Sequence, residues 1–196
     1  MTVVRKNIWT SVVLSAALTV MACGPVAATE AVALKPANPQ PAAEKLKPGL
    51  AVVYSFFMFE NVKDVARLGK GKPGEPIKTL DHKTDSGPVL TSGTATGVGA
   101  QISGFIKFSA AGNYTLRILS NDGVKLGIGG AVLHEDPGIH ADTWSPPLGV
   151  SVPSPGWYPL ALDYFQKKGT SALRLVWTAP GGKEEVVPAD AFGHLK

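Results

Sequence analysis

The segment between residues 112 and 130 constrains the fold of this chain more than any other. Tyr114, Leu116 and Ile118 alternate with polar or smaller neighbours, which is the period-two pattern of a half-buried strand. The run 120–123 (Ser-Asn-Asp-Gly) breaks the alternation, and apolar residues at every second position then resume it. The segment therefore predicts two strands joined by a tight turn.

The rest of the chain after residue 49 has the same character, and the fold class it predicts is all-β. Predicted strands cover residues 52–59, 98–108, 113–119, 123–129, 131–134, 157–166, 171–178 and 183–187. Glycine and proline fall between them, and only residues 66–68 suggest a turn of helix. Many short strands separated by turn residues favour a sandwich or a barrel.

Two motifs carry a resemblance to a known family. The first motif consists of Gly112, Tyr114, Thr115, Ser120, Asn121, Asp122, Gly123 and Leu126, and the second of Gly156, Trp157, Tyr158, Pro159, Tyr164 and Phe165. Together with the closing segment 180–195, they resemble the PA14 domain, a β-sandwich module of bacterial surface proteins, glycoside hydrolases and fungal adhesins. The resemblance covers residues 49–196 and implies an antiparallel β-sandwich. It is weakest at Gly129-Gly130, where the family often has Asp-Gly, and across residues 60–100.

The N-terminus reads as an export signal. Arg5 and Lys6 precede an apolar run over residues 8–22, which is too short for a comfortable membrane span. Val20-Met21-Ala22-Cys23 then resembles a bacterial lipobox, so residues 1–22 are predicted to be a signal peptide and Cys23 the site of lipid attachment. The alternative is ordinary cleavage after Ala28. The expected location is outside the cytoplasm, either anchored to a membrane or free in the periplasm or outside the cell.

Residues 23–48 are predicted to be a linker. Residues 24–48 contain five prolines and seven alanines, a composition typical of a flexible or polyproline-like tether. Because Cys23 is the only cysteine, no intramolecular disulfide can form, and the folded domain at 49–196 must rely on burial for its stability.

Charge and motif content exclude several function classes. The formal net charge of +4 falls to +2 once Arg5 and Lys6 are removed, and no basic run with interleaved aromatics remains. Nucleic acid is therefore not an expected partner. The chain has no Gly-x-Ser-x-Gly motif, and the hydrolase-type residues at 81–86 lie too close in sequence to form a triad. We expect no enzymatic activity.

The resemblance implies a binding site at Asn121-Asp122. In sugar-binding PA14 domains, two consecutive acidic residues at this turn, joined by a cis peptide, coordinate calcium, and the ion holds vicinal hydroxyls of a sugar. Calcium takes six to eight oxygen ligands, and here Asn121 supplies a neutral oxygen in place of a carboxylate. Calcium is therefore expected to bind weakly. The alternative is an ordinary hairpin turn, for which Asn-Asp-Gly is also well suited.

Further candidate ligand-binding residues follow the second strand. The loop 134–142 carries Asp136 and Asp142, which we expect to approach Asp122; the alternative is a solvated polar loop. Trp144 lies beside this loop, where its indole would either stack on a sugar or cover the core. Trp157 and Trp177 occupy strand patterns and are predicted to be core residues.

The function expected from these features is carbohydrate binding at the cell envelope. The partners are a glycan and, through the lipid on Cys23, a membrane, with calcium as the expected cofactor. Two alternatives remain open: a non-catalytic structural or protein-interaction module, and an accessory domain of a glycan-processing system. The sequence leaves the sugar and the oligomeric state undetermined.

Overall fold

The computed structural model describes Met1, residues 31–67 and residues 71–196. The predicted signal peptide, the lipid attachment at Cys23 and the alternative cleavage after Ala28 lie outside the described residues. Among the helices that are described, none has both the length and the apolar character needed to cross a membrane.

The described chain consists mainly of strands. These are β1 (Val32–Ala33), β2 (Leu46–Pro48), β3 (Ala51–Phe56), β4 (Lys72–Pro73), β5 (Asp81–Thr84), β6 (Val98–Phe108), β7 (Gly112–Asn121), β8 (Val124–Ile128), β9 (Ala131–Asp136), β10 (Thr143–Trp144), β11 (Leu148–Val152), β12 (Gly156–Gln166), β13 (Ser171–Thr178), β14 (Glu184–Val186) and β15 (Phe192–Leu195). One short α-helix, α1 (Lys63–Arg67), and two 3-10 turns, Ala43–Lys45 and Ala189–Ala191, complete the secondary structure.

The strands form two sheets. The first sheet has the order β1-β11-β7-β13-β14, with β10 also pairing with β7 and β5 with β13. The second has the order β2-β15-β6-β12-β8-β9, with β3 beside β6 and β4 beside β3. Every pairing is antiparallel except the two-residue contact between β1 and β11. The all-β class is confirmed.

Alternating burial along the central strands builds the core. On β12, Tyr158, Leu160, Leu162 and Tyr164 are buried whereas Pro159 and the other residues between them face outward, as expected for a strand with one face on the core. β12 pairs with β6 along all eleven residues. Aromatic rings close one end of the core, where Phe108, Tyr114, Tyr158 and Trp177 pack edge-on or tilted against one another.

The tight turn predicted at 120–123 connects the two sheets. β7 lies in the first sheet and β8 in the second, so the two strands do not pair with each other. Asn121 pairs with Ala172 in the first sheet, whereas the Asp122 N–H donates to the Phe165 carbonyl in the second. The turn is therefore not a hairpin within one sheet, because it crosses from one sheet to the other; a purely structural role for it stays open.

The described part of the predicted linker is folded onto the domain. β1 and β2, which pair with β11 and β15, fall inside it. Leu34 and Ala37 are buried, and the Gln40 side chain bonds both the N–H and the carbonyl of Trp157. A flexible tether is thus the wrong description of residues 31–48, because the apolar side chains spaced along the segment fill positions in the core that composition alone does not reveal.

A buried acidic turn at one end of the sandwich

The carboxylate of Asp122 lies buried at the sheet-crossing turn. Asp122 is only 3% exposed to solvent. Oδ1 accepts a hydrogen bond from the backbone N–H of His140 at 3.1 Å, and Oδ2 accepts one from the backbone N–H of Lys167 at 2.8 Å. Within the described residues, no cationic side chain pairs with this carboxylate. A buried charge without a counter-ion is costly, and this turn is therefore suited to a cation.

Asn121 orients the neighbouring polar groups. Its Nδ2 donates to Asp142 Oδ1 at 3.0 Å and to Thr170 Oγ1 at 2.9 Å. The Tyr164 hydroxyl donates to the Asn121 carbonyl. The peptide bond between Asn121 and Asp122 is cis. The turn therefore gathers side-chain oxygens from the loop after β9 and from the loop between β12 and β13.

Electrostatics at the turn follow from these contacts. Lys83 Nζ lies 2.8 Å from Asp142 Oδ2. The hydrogen bond from Lys83, followed by the one from Asn121, holds the pKa of Asp142 below its ordinary value. Burial, reinforced by the Asp122 charge, raises the pKa of Tyr164 well above the value of a free phenol. Asp142 thus remains a carboxylate and Tyr164 a neutral donor at physiological pH.

The two aspartates predicted to approach Asp122 lie in different places. Asp142 reaches the turn directly through Asn121. Asp136 ends β9 and contacts the imidazole Nε2 of His140 through Oδ2 at 3.3 Å, so its link to Asp122 runs through the backbone of His140. The loop 134–142 thus contacts the turn through Asp142 and the backbone of His140.

The tryptophans differ from their predicted environments. Trp144 is half-buried, and the Arg117 guanidinium covers one ring face at 4.8 Å from the centroid. Trp177 is buried as predicted. Trp157, however, is only half-buried and lies beneath Lys107 on the outer face of the second sheet. The core assignment of Trp157 is wrong because its neighbours Tyr158 and Leu160, on the opposite face of β12, point inward instead.

Three exposed apolar side chains stand beside the turn, and sequence reasoning missed them. Phe57, Met58 and Ile139, which we call the apolar rim, are 58%, 47% and 52% exposed. The predicted strand 52–59 ends at Phe56, and this early end turns the following residues toward solvent. The only signal in the sequence was an apolar run longer than the strand requires.

Backbone hydrogen bonds hold the apolar rim close to Asp122. The Phe57 N–H donates to the Gly97 carbonyl, and the Gly97 N–H donates to the carbonyl of Lys167. The N–H of Lys167 in turn binds Asp122 Oδ2. On the other side, Ile139 immediately precedes His140, whose N–H binds Oδ1. These hydrogen bonds place the backbone of the apolar rim next to the residues that hold the Asp122 carboxylate.

The donor set suits a weakly held calcium ion. Asp122 offers a carboxylate, and Asn121 Oδ1 and Thr170 Oγ1 offer neutral oxygens beside Asp142. Oxygen donors are the ligands that calcium prefers, and carboxylate oxygens accept more than one partner each. Within the part of the chain described here, however, no group of three or more His, Cys, Asp or Glu side chains converges on a point. Any ion would depend on neutral oxygens from the protein or its ligand.

Comparison with known proteins agrees with this architecture. The family profile of the PA14 domain matches residues 47–191, so this chain belongs to the PA14 domain family. No curated protein sequence matches the chain.

Solved structures show the same fold at low sequence identity. The PA14 domain of the MpAFP antifreeze protein superposes with a TM-score of 0.65 at 15% identity, covering 81% of this chain and 96% of the other. The PA14 sugar-binding domain of an RTX adhesin gives a TM-score of 0.59 at 15% identity, covering 75% and 98%. The epithelial adhesin 9 A domain of Candida glabrata, solved with Galβ1-4GlcNAc, gives 0.66 at 13% identity, covering 85% and 97%. At these identities the likeness establishes the fold alone.

Proposed function

We propose that this protein is a non-catalytic glycan-binding module whose site is the buried acidic turn and the apolar rim beside it. The observation that carries the proposal is the buried Asp122 carboxylate, which no cationic side chain of the described residues pairs with, next to backbone segments that carry the exposed Phe57, Met58 and Ile139. Membership of the PA14 family supports it. Two similar structures, a sugar-binding domain of an RTX adhesin and an adhesin domain solved in complex with Galβ1-4GlcNAc, support it further.

The chemistry of the site fits a sugar ring. A pyranose has C–H groups on one face and hydroxyls around its edge. The apolar rim would cover the C–H face, because burying apolar area there removes it from water. Asp142 and Thr170 are mostly exposed and lie within hydrogen-bond range of Asn121, so their oxygens would accept from the ring hydroxyls.

Calcium is part of the proposal as the cation at Asp122. When bound, the ion supplies a positive charge to which sugar hydroxyls coordinate. The protein's own contribution is to fix Asp122 through the N–H groups of His140 and Lys167 and to orient Asn121 through Thr170. With so few carboxylates, we expect a dissociation constant on the order of 10⁻⁴–10⁻³ M.

The test is a thermal melt with and without millimolar calcium, followed by a glycan array under both conditions. Calcium at ten to a hundred times its dissociation constant should add about 1–3 kcal/mol to the stability. Phe57→Ser should abolish array binding and leave the calcium response intact. Val132→Ser is the matched control, because Val132 is 60% exposed near the opposite end of the β8–β9 hairpin.

The outcomes separate the two parts of the proposal. Glycan binding without a calcium-dependent rise in melting temperature would mean that the protein binds the glycan without calcium. A blank array in both conditions, or equal binding by wild type and Phe57→Ser, would overturn glycan recognition at this surface. The non-catalytic structural or protein-interaction module would then be the better description.

We also propose that the domain is exported and anchored through lipid on Cys23, from the lipobox-like run that ends there. Two acyl chains are enough for stable membrane attachment. The intact mass of the exported protein decides the matter, since a free N-terminus at Thr29 would mean plain cleavage after Ala28.

A further inference from the structure

A cavity of about 670 Å³ opens between the edges of the two sheets, and it shares no lining residue with the acidic turn or the apolar rim. Pro48, Pro76, Ile77 and Leu90 supply its apolar lining. The volume lies within the range of protein cavities that hold small organic groups. The cavity therefore suits a bulky apolar group from another molecule.

One buried imidazole lines this cavity with an unused hydrogen-bonding atom. His194 on β15 is 8% exposed. Its Nδ1 lies 2.9 Å from the Gly49 carbonyl, and because a carbonyl can only accept, Nδ1 carries the proton. In the neutral ring Nε2 is then an acceptor, and no residue of the described chain donates to it. A ligand that enters the cavity must supply an N–H or O–H, since covering an unpaired acceptor is costly.

A lysine lies opposite His194 on the neighbouring strand. Lys47 on β2 is the cross-strand partner of His194, and directly opposed residues of an antiparallel pair project their side chains from the same face at close range. Neither Lys47 nor Lys78, the second lysine of the cavity rim, pairs with a carboxylate in the described parts of the chain. The rim thus offers cationic donors next to a neutral acceptor.

The remaining charges of the lining define where an anion would sit. Asp81 is held by Arg174, which leaves Glu75 as the one unpaired acidic side chain in the described lining, against two lysines. On the β5 side of the cavity, burial lowers the pKa of His82, because the interior disfavours charge. An anionic group is therefore favoured at the rim, beside Lys47, and disfavoured beside His82.

We propose that this cavity binds the free C-terminal residue of a peptide whose last side chain is apolar. The carboxylate pairs with Lys47, the amide N–H of the same residue donates to His194 Nε2, and the apolar side chain fills the space lined by Ile77 and Leu90. A carboxylate and an N–H on one carbon atom match a lysine and an acceptor that are cross-strand neighbours. In a peptide, only the C-terminal residue carries both a carboxylate and an N–H on the same carbon atom.

Isothermal titration calorimetry on the full-length chain tests the proposal with acetyl-Gly-Gly-Leu as the probe. We expect one saturable site per chain. The C-terminal amide of the peptide, and a version with an N-methylated leucine, should each bind about ten-fold more weakly or worse, because each loses one charge-assisted or buried hydrogen bond. Acetyl-leucine alone should bind at the same site and no more tightly than the peptide.

Protein variants provide the complementary arm. Lys47→Glu should lower the affinity for the peptide about ten-fold or more. Glu75→Gln should raise that affinity, because it removes a negative charge that repels the peptide carboxylate. Lys183→Glu, the same charge change at an exposed turn remote from the lining, should leave affinity unchanged. Equal affinity for acid and amide, binding of acetyl-leucine without binding of the peptide, or no saturable heat with any probe would each overturn the proposal. The peptide comparisons use wild-type protein and stand even if a variant fails to fold.

Discussion

Asn121 is the residue that most distinguishes this domain from the acidic pair its family resemblance implies. Its amide nitrogen bridges Asp142 and Thr170, a role that a carboxylate cannot fill because it has no donor. The asparagine therefore holds the turn together in the absence of an ion. In exchange, a cation at this turn would have one fewer negatively charged ligand.

Replacing Asn121 by aspartate should separate these two effects. In Asn121→Asp a second carboxylate faces Asp142 at hydrogen-bond distance, so the melting temperature without calcium should fall. Added calcium should restore it and give a larger upward shift than in wild type, because the ion gains a charged ligand. The check is a calcium titration followed by differential scanning calorimetry. A variant that is destabilised equally with and without calcium would mean that no ion binds there.

The three tryptophans of the folded domain should respond differently to truncation. Trp177 packs on Phe108 and Tyr114 and donates its indole N–H to Glu185, so Trp177→Ala should cost about 3–5 kcal/mol. Trp157 and Trp144 keep one side in solvent, and we expect about 1–2 kcal/mol for each, from the smaller apolar area lost. Urea unfolding followed by far-ultraviolet circular dichroism measures all three. Equal losses would place Trp157 and Trp144 in the core after all.

At the scale of elements, the N-terminal segment departs most from its expected behaviour. Leu34 is buried in the main core, and its N–H donates to the carbonyl of Ser151 at 2.9 Å. Leu34→Ala should therefore destabilise the domain by about 2–4 kcal/mol, whereas truncation of its exposed neighbour in Lys35→Ala should cost less than about 0.5 kcal/mol. Urea midpoints give both values. Identical midpoints for wild type and Leu34→Ala would mean that residues 31–48 are a tether.

A strand can be predicted from the sequence when buried and exposed residues alternate along it over many positions. Strands with one face on the core, such as β6 and β12, were located to within a residue because alternation is visible over ten or more positions. Short strands such as β1, β5 and β15 were missed because two to four residues carry no period. Asn121-Asp122 was found through its motif. The apolar rim was not, because its position depends on where β3 ends and on loops from four distant parts of the chain.

At the scale of the whole molecule, the two proposed binding surfaces share no lining residue. The acidic turn lies where β7 leaves one sheet for the other, and the cavity lies between the edge strands β2 and β5. Glycan recognition at the first surface and peptide recognition at the second would use different residues, so that one domain could hold a glycan and a peptide together. Substitutions at one surface should therefore leave binding at the other unchanged.

The most direct test of the central claim is a map of backbone amide shifts by ¹H–¹⁵N NMR during titration of the full-length chain with a glycan identified on the array, in the presence of calcium. Glycan binding at the acidic turn predicts the largest shifts at Phe57, Met58 and Gly97, and at residues 121–123, 139–142 and 167–170. The amide chemical shifts of His194 and Lys47 should not change. Shifts centred on those two residues, or on Trp157 on the outer face of the second sheet, would contradict the account.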